Sequence, residues 1–326
     1  VQNLPKGETH RGLGFHLEQL KYMRRVIQIA SEHEADLFIM SESTGHYFLF
    51  PFLAPKQMGL IPSLHTLLWP KVKKPSLSQK VMHYFNGRIF TNRAIAILCH
   101  PLDIEKQLRI ITGNSLRPLF PFLPTYRKDN FVNLSEPSST SSFHVLFAGR
   151  MEVEKGIFDL LHIASHLKQS GHVNIHLHLC GGGSCEARLR QAAADNRIMD
   201  ILHIHGFCQR DKLQKYLSLS HVMIVPTTTS FVEGFNQVVV ESILAGRPVI
   251  SSDVCPALAM VREAAIEVSP DNWKGYFDAI IQLANNNDYY QTKKRACRSF
   301  QAQFYDPNNS WGQAVLRVIH MWINGY

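Results

Sequence analysis

Two carboxylates, Glu233 and Glu241, sit in the stretch "TSFVEGFNQVVVESILAGRPVISS" (229–252), one just before an apolar run and one inside it. Upstream, "FAGRMEVEKG" (147–156) puts Arg150 and Lys155 on one short loop. Two cations so placed suit a diphosphate, because a guanidinium forks two oxygens while an ammonium acts as a mobile point charge. The same spacing also suits a surface pair with Glu152 and Glu154. The apolar run reads as a helix beginning near Asn236, with Glu233 in the loop ahead of it and Glu241 about one turn inside. The two carboxylates then share no helix face; they flank the free N–H groups of the first turn, which favour an anion. A phosphate docked on that turn has a carboxylate on either side, each able to accept a hydrogen bond from a ribose or sugar hydroxyl. The arrangement fits a nucleotide-diphosphate sugar lying across a helix start. The competing reading is one glutamate compensating the helix dipole and one solvated.

The elements that must carry these residues alternate regularly. "FHVLFAG" (143–149) reads as a buried strand, "GIFDLLHIASHLKQSG" (156–171) as a helix, and "VNIHLHLCGGG" (173–183) as a strand running into glycines. "CEARLRQAAADN" (185–196), "RDKLQKYLSLS" (210–220) and "NQVVVESILAG" (236–246) read as helices, and "ILHIHGF" (201–207), "HVMIVPTT" (221–228) and "PVISSD" (248–253) as strands. Such alternation predicts a parallel sheet covered on both faces, with ligands outside the carboxyl ends of its strands. The front half also reads as α/β: a helix over 17–34, strands over 35–41, 59–65 and 87–92, and a helix broken at Pro101 within 94–113. "PTYRKDNFVNLSEPSSTSS" (124–142) reads as a linker, and 310–325 as a final amphipathic helix.

Composition narrows the function classes. No run of eighteen apolar residues occurs, so no spanning helix is expected. The opening "VQNLPKGETHRG" lacks both a signal-peptide core and a methionine, which suggests sequence upstream of it. Six scattered cysteines suggest a reduced, cytoplasmic chain. Residues 1–137 hold 17 Lys/Arg against 10 Asp/Glu, a balance of +7, while the rest holds 17 against 16, or +1. The basic front half, densest at "PKVKKPSLSQK" (70–80), suits an anionic membrane surface or an anionic acceptor, or simply a solvated face. It shows no nucleic-acid module. His176, His178, Cys180, Cys185, His203, His205 and Cys208 are ligand-type residues in no zinc spacing, and read as half-buried strand histidines and thiols rather than a metal site. No G-x-S-x-G elbow, P-loop or nicotinamide glycine fingerprint is present.

Together, "FAGRMEVEKGIFDLL", "LCGGGSCEARLR", "HIHGF", "LSLSHVMIVPTTTSFVEGFNQVVVESILAGRPVISSD" and "SWGQAVLRVIHMW" resemble the retaining glycosyltransferases of family 4. The resemblance covers 143–326 in order, its most specific elements being E-x7-E and G-R-x4-K-G. It implies a GT-B fold: two Rossmann-like domains with parallel sheets facing across a cleft, and a C-terminal helix crossing back. The corresponding divisions are an acceptor-side domain over 1–137, lacking the family's first strand, glycine loop and helix, a nucleotide-sugar domain over 138–308, and a returning helix over 309–326. It further implies that Arg150 and Lys155 neutralise the donor diphosphate, that Glu241 binds the ribose, and that Glu233 lies near the transferred sugar. Gly149 and Gly206 line the donor site, and Gly234, Phe235 and Asn236 meet the phosphate or sugar through their backbone. "LIPSLHTLLW" resembles the strand that ends in a cleft histidine, here His65. The implied reaction moves a sugar from a UDP- or GDP-sugar to a glycan or lipid-linked hydroxyl with retained configuration, needing no metal or other cofactor. The alternative is a non-catalytic nucleotide-binding scaffold on the same fold.

Overall fold

The computed structural model describes residues 13–43, 45–100, 102–113, 115–137 and 142–325. The opening twelve residues and Pro101, on which two of the sequence expectations rest, lie outside that set. The chain divides into two compact units, one running to Trp69 and adding Lys74–Leu123 and everything from Ser310, the other taking Pro70–Lys73 and Pro124–Asn309.

The first unit holds α1 (Leu13–Glu32), β1 (Leu37–Met40), α2 (Phe50–Leu53), β2 (Gly59–Leu64), α3 (Leu77–Asn92), β3 (Ile97–Cys99), α4 (Asp103–Thr112) and β4 (Leu119–Pro121). Its four strands are parallel in the order β1-β2-β3-β4. Residues 87–92 are not a strand, as their β-branched and aromatic run suggested, but the last turns of α3. The helix is nucleated upstream by a capping box, in which Ser76 accepts from the Gln79 N–H and the Gln79 side chain returns to the Ser76 N–H. Within 94–113 the front part is strand rather than helix: Ile97, Leu98 and Cys99 are buried between β2 and β4, and helix begins only at Asp103.

The second unit holds β5 (Phe143–Ala148), α5 (Ile157–Gln169), β6 (Ile175–Cys180), α6 (Glu186–Asp195), β7 (Leu202–Gly206), α7 (Arg210–Leu219), β8 (Val222–Val225), α8 (Gln237–Leu244), β9 (Val249–Ser251), β10 (Ala265–Glu267), α9 (Trp273–Asn285) and α10 (Asn287–Tyr305). All six strands are parallel, in the order β10-β9-β8-β5-β6-β7. Val145, Phe147, Leu177 and Leu179 point into one core with α5 and α9. Residues 124–137, read from sequence as the tail of the front domain, belong to this unit. Tyr126 N–H donates to the Phe304 carbonyl (2.9 Å), and the buried Arg247 guanidinium donates to the Ser135 carbonyl (2.6 Å) and to Glu136 (3.3 Å). A buried guanidinium needs such acceptors, and the polar segment supplies them.

The last helix, α11 (Trp311–Ile323), is part of the first unit: Ala314 and Val318 pack with Ile61, Ala96, Leu98 and Phe122. No described helix is long and apolar enough to cross a membrane.

Candidate nucleotide-sugar site

Strand order in the second unit reverses direction between β5 and β8, the neighbours from which the sheet is wound outward both ways. Crevices at such switch points receive ligands, and the loops that leave these two strands carry the residues singled out above. After β5 come Gly149, Arg150 and Lys155; after β8 come Glu233, Gly234, Phe235 and Asn236. The loops are stitched together, since Thr228 gives both its N–H (2.9 Å) and its hydroxyl (3.2 Å) to the Glu154 carbonyl.

Lys155 Nζ donates to Glu233 Oε1, and Thr227 Oγ1 donates to the same oxygen at 2.7 Å. This is a buried ion pair, the lysine side chain 16% exposed and the glutamate 6%. Both bonds end on Oε1, so Oε2 takes no hydrogen bond from the described residues. Phe231 lies beneath both cations, its ring centre 4.2 Å from Lys155 Nζ and 5.7 Å from the Arg150 guanidinium carbon. Neither cation forms a salt bridge with Glu152 or Glu154. Glu152 instead accepts from the Ser184 hydroxyl and N–H, which hold its carboxyl below the usual range with help from the Arg150 charge, and Arg150 remains exposed.

Asn236 is the N-cap of α8 in a left-handed conformation (φ 39°), and no side chain caps the helix. Its Oδ1 is shielded from water without a partner among the described residues. An orphaned buried acceptor beside an uncapped helix N-terminus is a place where a ligand hydroxyl or amide would complete the hydrogen bonding. Glu241, one turn into α8, accepts from Tyr126 Oη at 3.3 Å; burial pushes its carboxyl pKa up, and the tyrosine bond partly offsets this.

The glycines of "CGGG" tie the strand ends together through the backbone. Gly149 N–H donates to the Cys180 carbonyl, Met151 N–H to Gly182, and Gly181 N–H to Gly206, each at 2.8 or 2.9 Å. A Cβ on Gly181 would meet the Gly149 carbonyl oxygen at 1.8 Å. Gly206 thus lies in register with the site loop at the next strand end, and Phe207 beyond it is 79% exposed.

His65 belongs to the other unit. Its Nε2 is 2.9 Å from Ser63 Oγ, which accepts from Trp311 Nε1 at 2.9 Å, so the last helix of the chain fixes the strand that ends in this histidine. Burial lowers its pKa and favours the neutral ring. His100, at the next strand end, packs against it at 5.8 Å.

Sequence reasoning missed Tyr126, Thr227 and Phe231. Phe231 lies within the loop already suspected, and Thr227 at the end of the strand that leads into it. Tyr126 stands in the linker with no local signal.

The strand histidines form a hydrogen-bonded row across one face of β5, β6 and β7. His144 Nδ1 meets His178 Nε2 (3.0 Å), His178 Nδ1 meets His205 Nε2 (3.1 Å), and His205 Nδ1 meets Tyr216 Oη (2.8 Å). At the other end, the His144 N–H donates to His221 Nδ1 at 3.1 Å. These nitrogens pair ring to ring, and no group of three ligand-type side chains among the described residues is placed to hold a metal ion. Each neutral ring offers one donor and one acceptor, so adding a proton sets two N–H groups face to face. Burial and the neighbouring rings lower the pKa of His178 to about 3, and those of His144, His205 and His221 to about 4. Lys212 and Arg190 face the row at His205, Arg247 and Lys294 at His221, and Asp200 at His203, where it acts in the opposite sense. An unfolded histidine titrates near 6.5. Between that pH and about 4 the unfolded chain therefore binds more protons, and stability rises with pH. Acidifying from pH 7 to 5 should lower the melting temperature, and His178→Gln should flatten that fall; a melting temperature constant over this range would contradict the reading.

Comparisons with known proteins bear on the family and the fold. The glycosyl transferases group 1 profile matches residues 134–299. Over 112 residues the chain is 28% identical to the amylovoran biosynthesis glycosyltransferase AmsK of Erwinia amylovora, which takes in 33% of this chain but only 27% of AmsK. Among solved structures, sucrose-phosphate synthase from Thermosynechococcus elongatus superposes with a TM-score of 0.71 at 17% identity, covering 97% of this chain and 80% of that one. HepE from Anabaena, solved in complex with UDP, gives 0.69 at 15% identity over 95% and 84%. These likenesses show the GT-B fold. With the profile spanning half its length, the chain belongs to the glycosyl transferases group 1 family.

Proposed function

We propose that this protein is a retaining glycosyltransferase that moves a sugar from a UDP- or GDP-sugar to a hydroxyl of a glycan or lipid-linked acceptor. The observation that carries the reading is the Lys155–Glu233 pair beside the uncapped start of α8, with Asn236 Oδ1 buried and unpartnered next to it. Arg150, Lys155 and the first-turn N–H groups of α8 face the diphosphate, and Gly149, Gly206, Gly234 and Phe235 border it. Glu241 takes the ribose hydroxyls in exchange for its weak bond to Tyr126, and Glu233 Oε2 takes a hydroxyl of the transferred sugar.

The chemistry needs charge more than it needs bases. The bond between the anomeric carbon and the β-phosphate oxygen breaks, the acceptor oxygen bonds to the same face of that carbon, and the acceptor proton passes to the departing diphosphate. Negative charge builds on the diphosphate, where fixed cations and helix N–H groups stabilise it most in the transition state. His65 is assigned to the acceptor side as a neutral imidazole that positions a hydroxyl.

A screen of UDP- and GDP-sugars for sugar release and for transfer to simple glycosides tests this. Turnover of at least one donor is expected, with the product keeping the donor's anomeric configuration. Nucleotide binding without turnover of any donor would favour a scaffold, and an inverted product would contradict the front-face step.

A further inference from the structure

Helix α3 is built inside out. Its buried positions are His83, Asn86, Gly87 and Phe90, three of them carrying no apolar side chain. Its exposed positions include Leu77, Val81, Tyr84 and Phe85, with Leu77 79% exposed and Tyr84 58%. The spacing 77, 81, 84, 85 and 88 is one continuous stripe of an α-helix, ending in the exposed Arg88, whose guanidinium lies 5.6 Å from the Tyr84 ring centre. The inversion is held in place: Asn86 Nδ2 donates to the Gly45 carbonyl (2.9 Å), and Asn86 Oδ1 accepts from the Phe48 N–H (3.1 Å). The stripe therefore cannot roll inward without breaking two buried bonds. Phe85 continues it onto Phe48 (ring centres 5.9 Å apart), and the adjoining α2 presents Phe52, 84% exposed.

Charge selects the occupant. From residue 43 to residue 102 the chain contains no aspartate or glutamate, yet carries Lys56, Lys71, Lys73, Lys74, Lys80, Arg88 and Arg93. Lys74, Lys80 and Arg88 are exposed on or just ahead of α3. A second copy of the same face would set Lys74, Lys80 and Arg88 against their own counterparts. A nucleic-acid backbone would answer the cations but gain nothing from Leu77 and Val81. An anionic bilayer surface answers both, taking the aliphatic and aromatic side chains into the headgroup boundary while its lipids meet the cations.

We infer that the outer face of α3 is an interfacial docking surface for anionic lipid bilayers. The inference stands on this face alone and does not depend on the donor site. The test is co-sedimentation of the protein with vesicles of phosphatidylcholine containing about a third phosphatidylglycerol, and with pure phosphatidylcholine vesicles. Binding to the anionic vesicles is expected to be at least about tenfold tighter and to weaken in 0.5 M salt, since the lipid charge attracts each basic residue near the surface and salt screens that attraction. The variant Leu77→Gln/Val81→Gln should lose about tenfold in affinity with little change in melting temperature, because Leu77 is 79% and Val81 51% exposed. Equal binding to both vesicle types, or equal binding by the variant, would overturn the inference. So would absence of binding together with a dimer or a protein complex that the variant abolishes.

Discussion

Lys155→Ala should lower the rate of sugar transfer by about a hundred- to a thousandfold, the loss expected when one preorganised donor to a developing negative charge is removed. The lysine is held over Phe231 and bonded to Glu233, so its ammonium is in place before any diphosphate arrives and little reorganisation is needed as charge builds. The substitution has a second consequence that must be separated from the first. It leaves the buried Glu233 carboxylate with only the Thr227 hydroxyl, and breaking one side of a buried ion pair costs about 3–5 kcal/mol of stability. The double variant Lys155→Ala/Glu233→Gln removes that unpaired charge. It should recover most of the lost melting temperature while remaining slow. Recovery of the rate along with the stability would reduce Lys155 to a structural partner of Glu233.

Gly156→Ala should be as damaging through shape alone. Gly156 caps the start of α5 at φ 74°, and a Cβ there would lie 2.1 Å from the Pro226 carbonyl oxygen. Alanine at positive φ costs roughly 1–2 kcal/mol, and forcing an extra carbon into a packed contact roughly 1–3 more. With 2–4 °C lost per kcal/mol in a domain of this size, the melting temperature should fall by about 4–20 °C. The contact is between the loop leaving β5 and the end of β8, so the same methyl pushes Lys155 away from Glu233. Transfer should therefore be impaired even at temperatures where the variant is folded. A melting temperature within 2 °C of the parent would mean that the two loops are not in the contact described.

The second unit was largely legible because its strands are short apolar runs buried on both faces and punctuated by glycine, with helices of clear period between them. Arg150, Lys155, Glu233 and Asn236 could be grouped because the parallel sheet brings alternate loops to one edge. What the sequence could not disclose were partners set by the fold. Lys155 and Glu233 are 78 positions apart, Tyr126 and Glu241 115, and nothing local announces either pair. The three-residue strands β4 and β10 are too short to show a period. Helix α3 was half lost for a different reason. Its apolar stripe faces outward, so periodicity gave no inward face, and the run from Arg88 to Thr91 mimics a strand. The signal that would have corrected this was present in Ser76 and Gln79, spaced as a capping box.

Titration calorimetry of UDP and GDP against the parent protein and the Glu241→Ala and Lys155→Ala variants tests the site most directly. The parent should bind at least one of the two nucleotides, and each variant should bind it at least about tenfold more weakly. Undiminished affinity in both variants would place the nucleotide somewhere other than the crevice between β5 and β8.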